Sequence, residues 1–312
     1  MTMTTTTTIP FRSLSLVSTA SSRRALSFIA CILVVLHCLV VPVTSLSADD
    51  WLAQGDEALS RGQFEEAVRF YETASEAYDA VEGTKDSKES LLTILSIETN
   101  KGTAHSSVGH VDKAVAAYEK ALRRFDKDME KITDDSSRKD AEMIAAQTAF
   151  FLGMEYHNSD KPTKAANAYA LANNLDPMHW AAVANLGAVL YDVLDKTDEA
   201  LVAYNQAIDI LTQREVEPTD APAEPAFVLS DLYYRVGLCL SKDPKRKCAM
   251  TNDQEKEVSC HELATNSFSK AVELNPDHSL AKHMLATLTA DATMTRGSNE
   301  YVKKLFDDYA EK

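Results

Sequence analysis

The stretch from Gly153 to Pro177, GMEYHNSDKPTKAANAYALANNLDP, limits what this chain can become. Two short helices are written into it, with a Ser-Asp-Lys-Pro turn between them. Gly153, Ala165 and Ala172 are small, while Tyr156 and Tyr169 are large. Small residues let two helix axes approach, and the rings fill the space beside the crossing. Proline cannot continue a helix and restricts the residue before it, so Asp176-Pro177 ends the unit. Neither helix can bury its apolar face alone, so the hairpin needs neighbours.

The neighbours are written in the same chain. The small-Ala-Ala pattern recurs as Gly55, Ala67, Ala74; as Gly102, Ala114, Ala121; as Gly187, Ala200, Ala207; and as Gly237, Ala264, Ala271. The bulky residue after the first Ala is Tyr71, Tyr118, Tyr169, Tyr204 and Phe268 in turn, and Pro276 repeats Pro177. This resembles the tetratricopeptide (TPR) repeat, whose period of about 34 residues is matched by the step from Gly153 to Gly187. The resemblance implies an all-α fold, a solenoid of helical hairpins wound into a right-handed superhelix. About five repeats occupy 49–277, and capping helices occupy 278–312.

Residues 1–48 differ from the rest. They contain no Asp or Glu, are rich in Thr and Ser, and carry Arg12, Arg23 and Arg24. An apolar run follows from Ala25 to Val43, then small residues at Thr44, Ser45 and Ser47. A basic flank, an apolar core and a small-residue exit form the pattern of a secretory signal peptide. This predicts a secreted or lumenal protein. A retained membrane anchor and an organelle presequence are the competing readings, and only the anchor would make the membrane a partner. The net charge of −15 argues against nucleic-acid binding, which needs basic patches on the protein.

Two of the five cysteines, Cys31 and Cys38, lie in the leader. Cys239 sits between Leu238 and Leu240 and reads as a core residue. Cys248 and Cys260 bound a polar segment inside a charged insert near 242–262, and in an oxidising compartment they are a candidate disulfide. They lack the close Cys pair of a zinc site, so no metal is expected. Asp49 or Asp50 is expected to cap the first helix, and a Pro-rich acidic stretch ending at Pro225 reads as a linker.

No motif for catalysis or for a small-molecule cofactor stands out, so the chain is not expected to be an enzyme. His105 and His157 fall on inner helix faces and read as packed residues. Binding is the better reading. If the Gly of each first helix faces its hairpin mate, residues at −2, +1 and +5 from it face away, at 100° per residue. In a TPR superhelix that direction is the concave wall, a groove for a partner protein or extended peptide. This selects Asn100, Phe151, Met154, Asn158, Asn185, Asp192 and Arg235 as candidate peptide-binding residues. An Asn amide both donates and accepts, so Asn100, Asn158 and Asn185 could pair with a peptide backbone.

The last residues carry a second resemblance. Ala281, His283, Met284, Leu285, Ala286 and Leu288, then Tyr301, Val302, Leu305, Phe306, Asp307 and Tyr309, are similar to the connector between TPR repeats and a class I methyltransferase domain. That resemblance implies an alternative: a non-catalytic, substrate-recruiting part of a TPR-methyltransferase. A generic capping helix pair reads equally well from the same residues.

Overall fold

Ser47 opens the array by capping its first helix. The computed structural model describes residues 47–80, 88–213, 225–242, 247–248 and 258–289. The first repeat is α1 (Ala48–Ser60) and α2 (Phe64–Ala80), the second α3 (Lys88–Ser107) and α4 (Val111–Asp128), and the third α5 (Asp135–Asn158) and α6 (Pro162–Leu175). The fourth is α7 (Trp180–Asp192) and α8 (Thr197–Gln213). In the fifth, α9 (Pro225–Ser241) and α10 (Cys260–Leu274) flank the insert, and α11 (Ser279–Leu288) follows. Each first helix packs on its mate, and each second helix packs on the next first helix, so the chain is a TPR-type solenoid. Met284, Leu285 and Leu288 of α11 cover the apolar end of the fifth repeat, as a cap must.

Every repeat closes on the same crossing. Tyr71, Tyr118, Tyr169, Tyr204 and Phe268 are all 2% exposed or less. Each ring lies flat against the glycine of its own repeat's first helix. A Cβ on Gly55 would sit 2.5 Å from Tyr71 Cε1, and one on Gly153 would sit 2.6 Å from Tyr169. The alanines that follow, including Ala67, Ala114, Ala165, Ala200 and Ala264, are wholly buried. The periodic pattern is therefore a packing requirement.

The turns repeat too. Four hairpins turn through a left-handed residue: Gly62 (φ 72), Gly109 (φ 77), Asp160 (φ 54) and Asp195 (φ 53). Asp tolerates this region better than most residues with a Cβ. In three repeats the same backbone bond closes the turn, from Gln63, His110 and Lys161 N–H to Ala58, His105 and Tyr156 C=O, at 2.8–2.9 Å. In the fourth, Lys196 N–H reaches Leu190 C=O across one more residue, which is where that repeat gained its extra position.

Three expectations change. The first helix is capped by Ser47, not Asp49 or Asp50. Ser47 Oγ accepts from Asp50 N–H at 3.1 Å, and the Asp50 carboxylate accepts from Ser47 N–H at 2.8 Å. This capping box uses both groups, and an acid at the third helical position serves it better than as the cap. His157 is exposed, because it lies one residue past the buried Tyr156 and rotates off the inner face. The all-α description has one exception: Lys247–Cys248 pairs antiparallel with Val258–Ser259. The two ends of the insert run side by side as it returns to α10, and neighbouring extended backbones form ladder bonds.

The leader with its Ala25–Val43 run, the Pro-rich linker, most of the insert and the helix expected around 301–309 lie outside the described residues. No described helix is long and apolar enough to cross a membrane.

Candidate functional site

The −2 positions on the first helices do form a row, but from the second repeat on they are turned toward the tyrosine of the preceding repeat. Tyr71 Oη donates to Asp56 Oδ1 at 2.7 Å, and Asn100 Nδ2 of the next repeat donates to the same oxygen at 2.8 Å. Tyr118 Oη donates to Thr103 Oγ1 at 3.3 Å, and its ring meets Phe151 at a centroid distance of 6.0 Å. The Asn185 side chain lies beside the Tyr169 hydroxyl and opposes the rise in its pKa. Arg235 Nη1 donates to Tyr204 Oη at 3.3 Å, with the guanidinium over the ring. Burial pushes the phenols of Tyr118 and Tyr169 up to about 12, so each hydroxyl stays protonated.

This row stitches neighbouring repeats together. A buried aromatic ring brings a polar tip to the seam, and the tip needs a partner. Tyr71 and Tyr118 find theirs in Asp56 and Thr103 of their own repeats, whereas Tyr204 takes Arg235, the −2 residue of the next repeat. The Asn100 amide is already engaged and Asn185 faces the Tyr169 hydroxyl, which changes what the wall can offer a ligand.

The charged candidates are also engaged. Arg235 Nε pairs with Asp231 at 3.0 Å, and its Nη1 lies 3.4 Å from Asp192. Lys242 pairs with Asp195 and sits over the Tyr191 ring. Asn158 is exposed at the end of α5, and no described residue pairs with it.

The third repeat is different. Phe151 and Met154 are half-buried against the core between repeats two and three. Met143, 52% exposed, lies on the same α5 stripe as Met154, because the eleven residues between them make just over three whole turns. Met143 was not among the candidates from the sequence. Extending the stripe backward from Met154 by three turns would have found it. Phe227 at the start of α9 is a further exposed apolar residue, at 56%.

His105 is packed, as its position implied. It is 2% exposed, its Nε2 lies 3.7 Å from Glu72 Oε1, and its Nδ1 has no hydrogen-bond partner. Burial holds its pKa below the ordinary value; Glu72 opposes this and does not win, while Lys113, His110 and Lys101 act with burial. A histidine with a depressed folded pKa contributes full stability above its unfolded value of about 6.5 and loses it as pH falls. Replacing His105 with Gln is expected to flatten the fall in urea midpoint between neutral and mildly acidic pH. An unchanged slope would show that other groups set it.

Cys239 is free and buried, with its thiol pushed up to about 12 by burial. Cys260 is buried and disulfide-bonded at the start of α10. The side chain of Cys248 lies outside the described ones. Among the described residues, no three His, Cys, Asp or Glu side chains converge as metal ligands.

Stacked hairpins with a glycine-ring crossing in each define the class: a tetratricopeptide-type helical solenoid. Within it, residues 99–128 match the family model described as tetratricopeptide repeat. The fold is similar to the crystal structure of YrrB, a TPR protein with an unusual peptide-binding site, at 18% identity over 76% of this chain and 91% of that one, with a TM-score of 0.50. The crystal structure of MamA protein is 20% identical over 73% and 92%, with a TM-score of 0.46. BtubC (BKLC) from P. vanneervenii is 18% identical over 80% and 84%, with a TM-score of 0.49. No match was found among curated protein sequences.

Proposed function

We propose that the protein is an interaction scaffold, not an enzyme, and that it holds a partner protein or extended peptide on the wall formed by its first helices. The observation that carries this is the α5 stripe of Met143, Phe151 and Met154, which stays accessible beside a polar row turned inward. Recognition then rests on apolar contact at the third repeat and less on an amide ladder. Methionines suit such a surface because their side chains repack against different ligands. The peptide-binding site of YrrB, a protein of similar fold, is in keeping with this.

The partner would be met in the secretory pathway. The leader and the bonded Cys260 support an oxidising compartment, and Cys248 is the partner that the insert brings nearest in sequence. Mass spectrometry of the mature chain, before and after reduction, tests both points: it should start near Ala48 and show a linked Cys248–Cys260 peptide pair.

The wall itself is tested by Met154→Glu, which puts a charge on the stripe without entering the Gly153–Tyr169 crossing. Partners cross-linked to the native chain should be lost from this variant and kept in Val202→Glu, a substitution at an exposed residue of the second-helix face. Equal recovery with both variants would place binding elsewhere.

A further inference from the structure

The first-helix wall is uneven along the array. In the fifth repeat both cations are neutralised from within, Arg235 by Asp231 and Asp192 and Lys242 by Asp195. A ligand carboxylate arriving there would have to displace an internal one. In the third repeat the wall is apolar. In the first repeat the exposed Asp56 has no ion-pair partner among the described residues. Its Oδ1 receives both the Tyr71 hydroxyl and the Asn100 amide, which fixes the carboxylate. Oδ2 has no donor among the described residues and carries charge at a set position on the wall.

We infer that the wall's occupant is an extended, apolar-basic peptide segment, with an apolar pair on Phe151 and Met154, one turn apart on α5, and a Lys or Arg reaching Asp56. This rests on the scaffold reading and adds the chemistry of the partner. The spacing follows from the array. First helices of successive repeats stand about 8–10 Å apart, so α5 to α1 is roughly 16–20 Å. An extended chain advances about 3.3 Å per residue, which puts the cation about five or six residues from the apolar anchor. The overall negative charge acts in the same direction, steering a basic segment toward the protein.

The test uses the full mature chain and fluorescein-labelled synthetic peptides on a Gly/Ser background, read by anisotropy. One carries a Phe-Leu pair and an Arg-Lys pair about five residues apart. A second replaces Arg-Lys with Glu-Glu, and a third brings the two pairs together. The first peptide should bind about threefold or more tightly than either of the others, a size set by one solvent-facing ion pair with modest help from the overall charge. The advantage over the acidic peptide should shrink in high salt and in Asp56→Asn, which keeps an oxygen for Tyr71 and Asn100. Met154→Glu should weaken binding of all three peptides.

Equal affinity for the basic and acidic peptides overturns the inference, as does an advantage that Asp56→Asn and salt leave intact. Loss of all peptide binding, with partner cross-linking still sensitive to Met154→Glu, overturns it too and leaves the scaffold reading standing. Insensitivity of both measurements to Met154→Glu removes the scaffold reading as well.

Discussion

Glu98→Ala is expected to detach the first repeat from the second. Glu98 is 0% exposed and sits at the seam of α2, α3 and α4. Ser75 Oγ donates to it at 2.5 Å, Lys101 Nζ lies 2.6 Å from Oε2, and Lys120 Nζ lies 2.9 Å from Oε1. Lys120 also reaches Asp79 at 2.9 Å on the partly exposed side of the cluster. Removing the shared carboxylate leaves two ammonium groups facing each other with no anion between them. Breaking a buried pair in this way costs about 3–5 kcal/mol, and solvent at Lys120 places the expected loss near the lower end. A solenoid is held by nearest-neighbour interfaces, so the loss should be local. Hydrogen exchange should speed up in α1 and α2 while α7 to α10 keep their protection. Glu98→Met combined with Lys101→Met and Lys120→Met is expected to recover most of the stability, since an apolar replacement of a whole buried cluster is often neutral. If the single substitution leaves exchange in α1 and α2 unchanged, the seam is held by its apolar contacts alone.

That cluster shows where sequence reading stops. Gly153, Ala165, Tyr169 and Ala172 could be read directly, because a close helix crossing demands small and large residues at fixed spacing. The turns were legible for a similar reason: Gly109 needs no Cβ in the left-handed region, and Asp160 is among the residues that tolerate it. The wall was legible in direction but not in use. Angular arithmetic puts Asn100, Asn185 and Arg235 on one side of their helices, and they are there. It says nothing about what arrives from the preceding repeat: the Asp56 carboxylate that takes Asn100, and the hydroxyls of Tyr169 and Tyr204 that face Asn185 and Arg235. Glu98 was invisible for the same reason. Lys101 is an i,i+3 neighbour on α3, but Lys120 comes from α4 and Ser75 from the preceding repeat, and only the packing of these helices brings them within 3 Å of the same carboxylate.

Tyr169→Ala is expected to cost about 3–5 kcal/mol, the usual loss when a buried ring is emptied, and Gly153 supplies the cycle that explains the loss. The Tyr169 ring is 1% exposed and tilted against Phe150, so it has no room to swing away. A Cβ at Gly153 would meet it at 2.6 Å. Overpacking of this kind costs about 1–3 kcal/mol, against a helix gain of about 0.5–1 for Gly→Ala, so Gly153→Ala alone should be net destabilising. With Tyr169→Ala already made, the new methyl enters the emptied space, and only the helix gain is left. The double variant should therefore be more stable than the sum of the singles by about 1–3 kcal/mol, read from urea melts of the four proteins. Gly62 is the control, since its φ is 72 and a Cβ there would touch nothing within 4 Å. Gly62→Ala should cost about 1 kcal/mol through backbone strain, and that cost should be the same whether Tyr71 is present or replaced. Coupling at Gly153 without coupling at Gly62 is what a ring seated on a bare helix backbone requires. Strict additivity at both would mean that the glycine is tolerated at the crossing and not demanded by it.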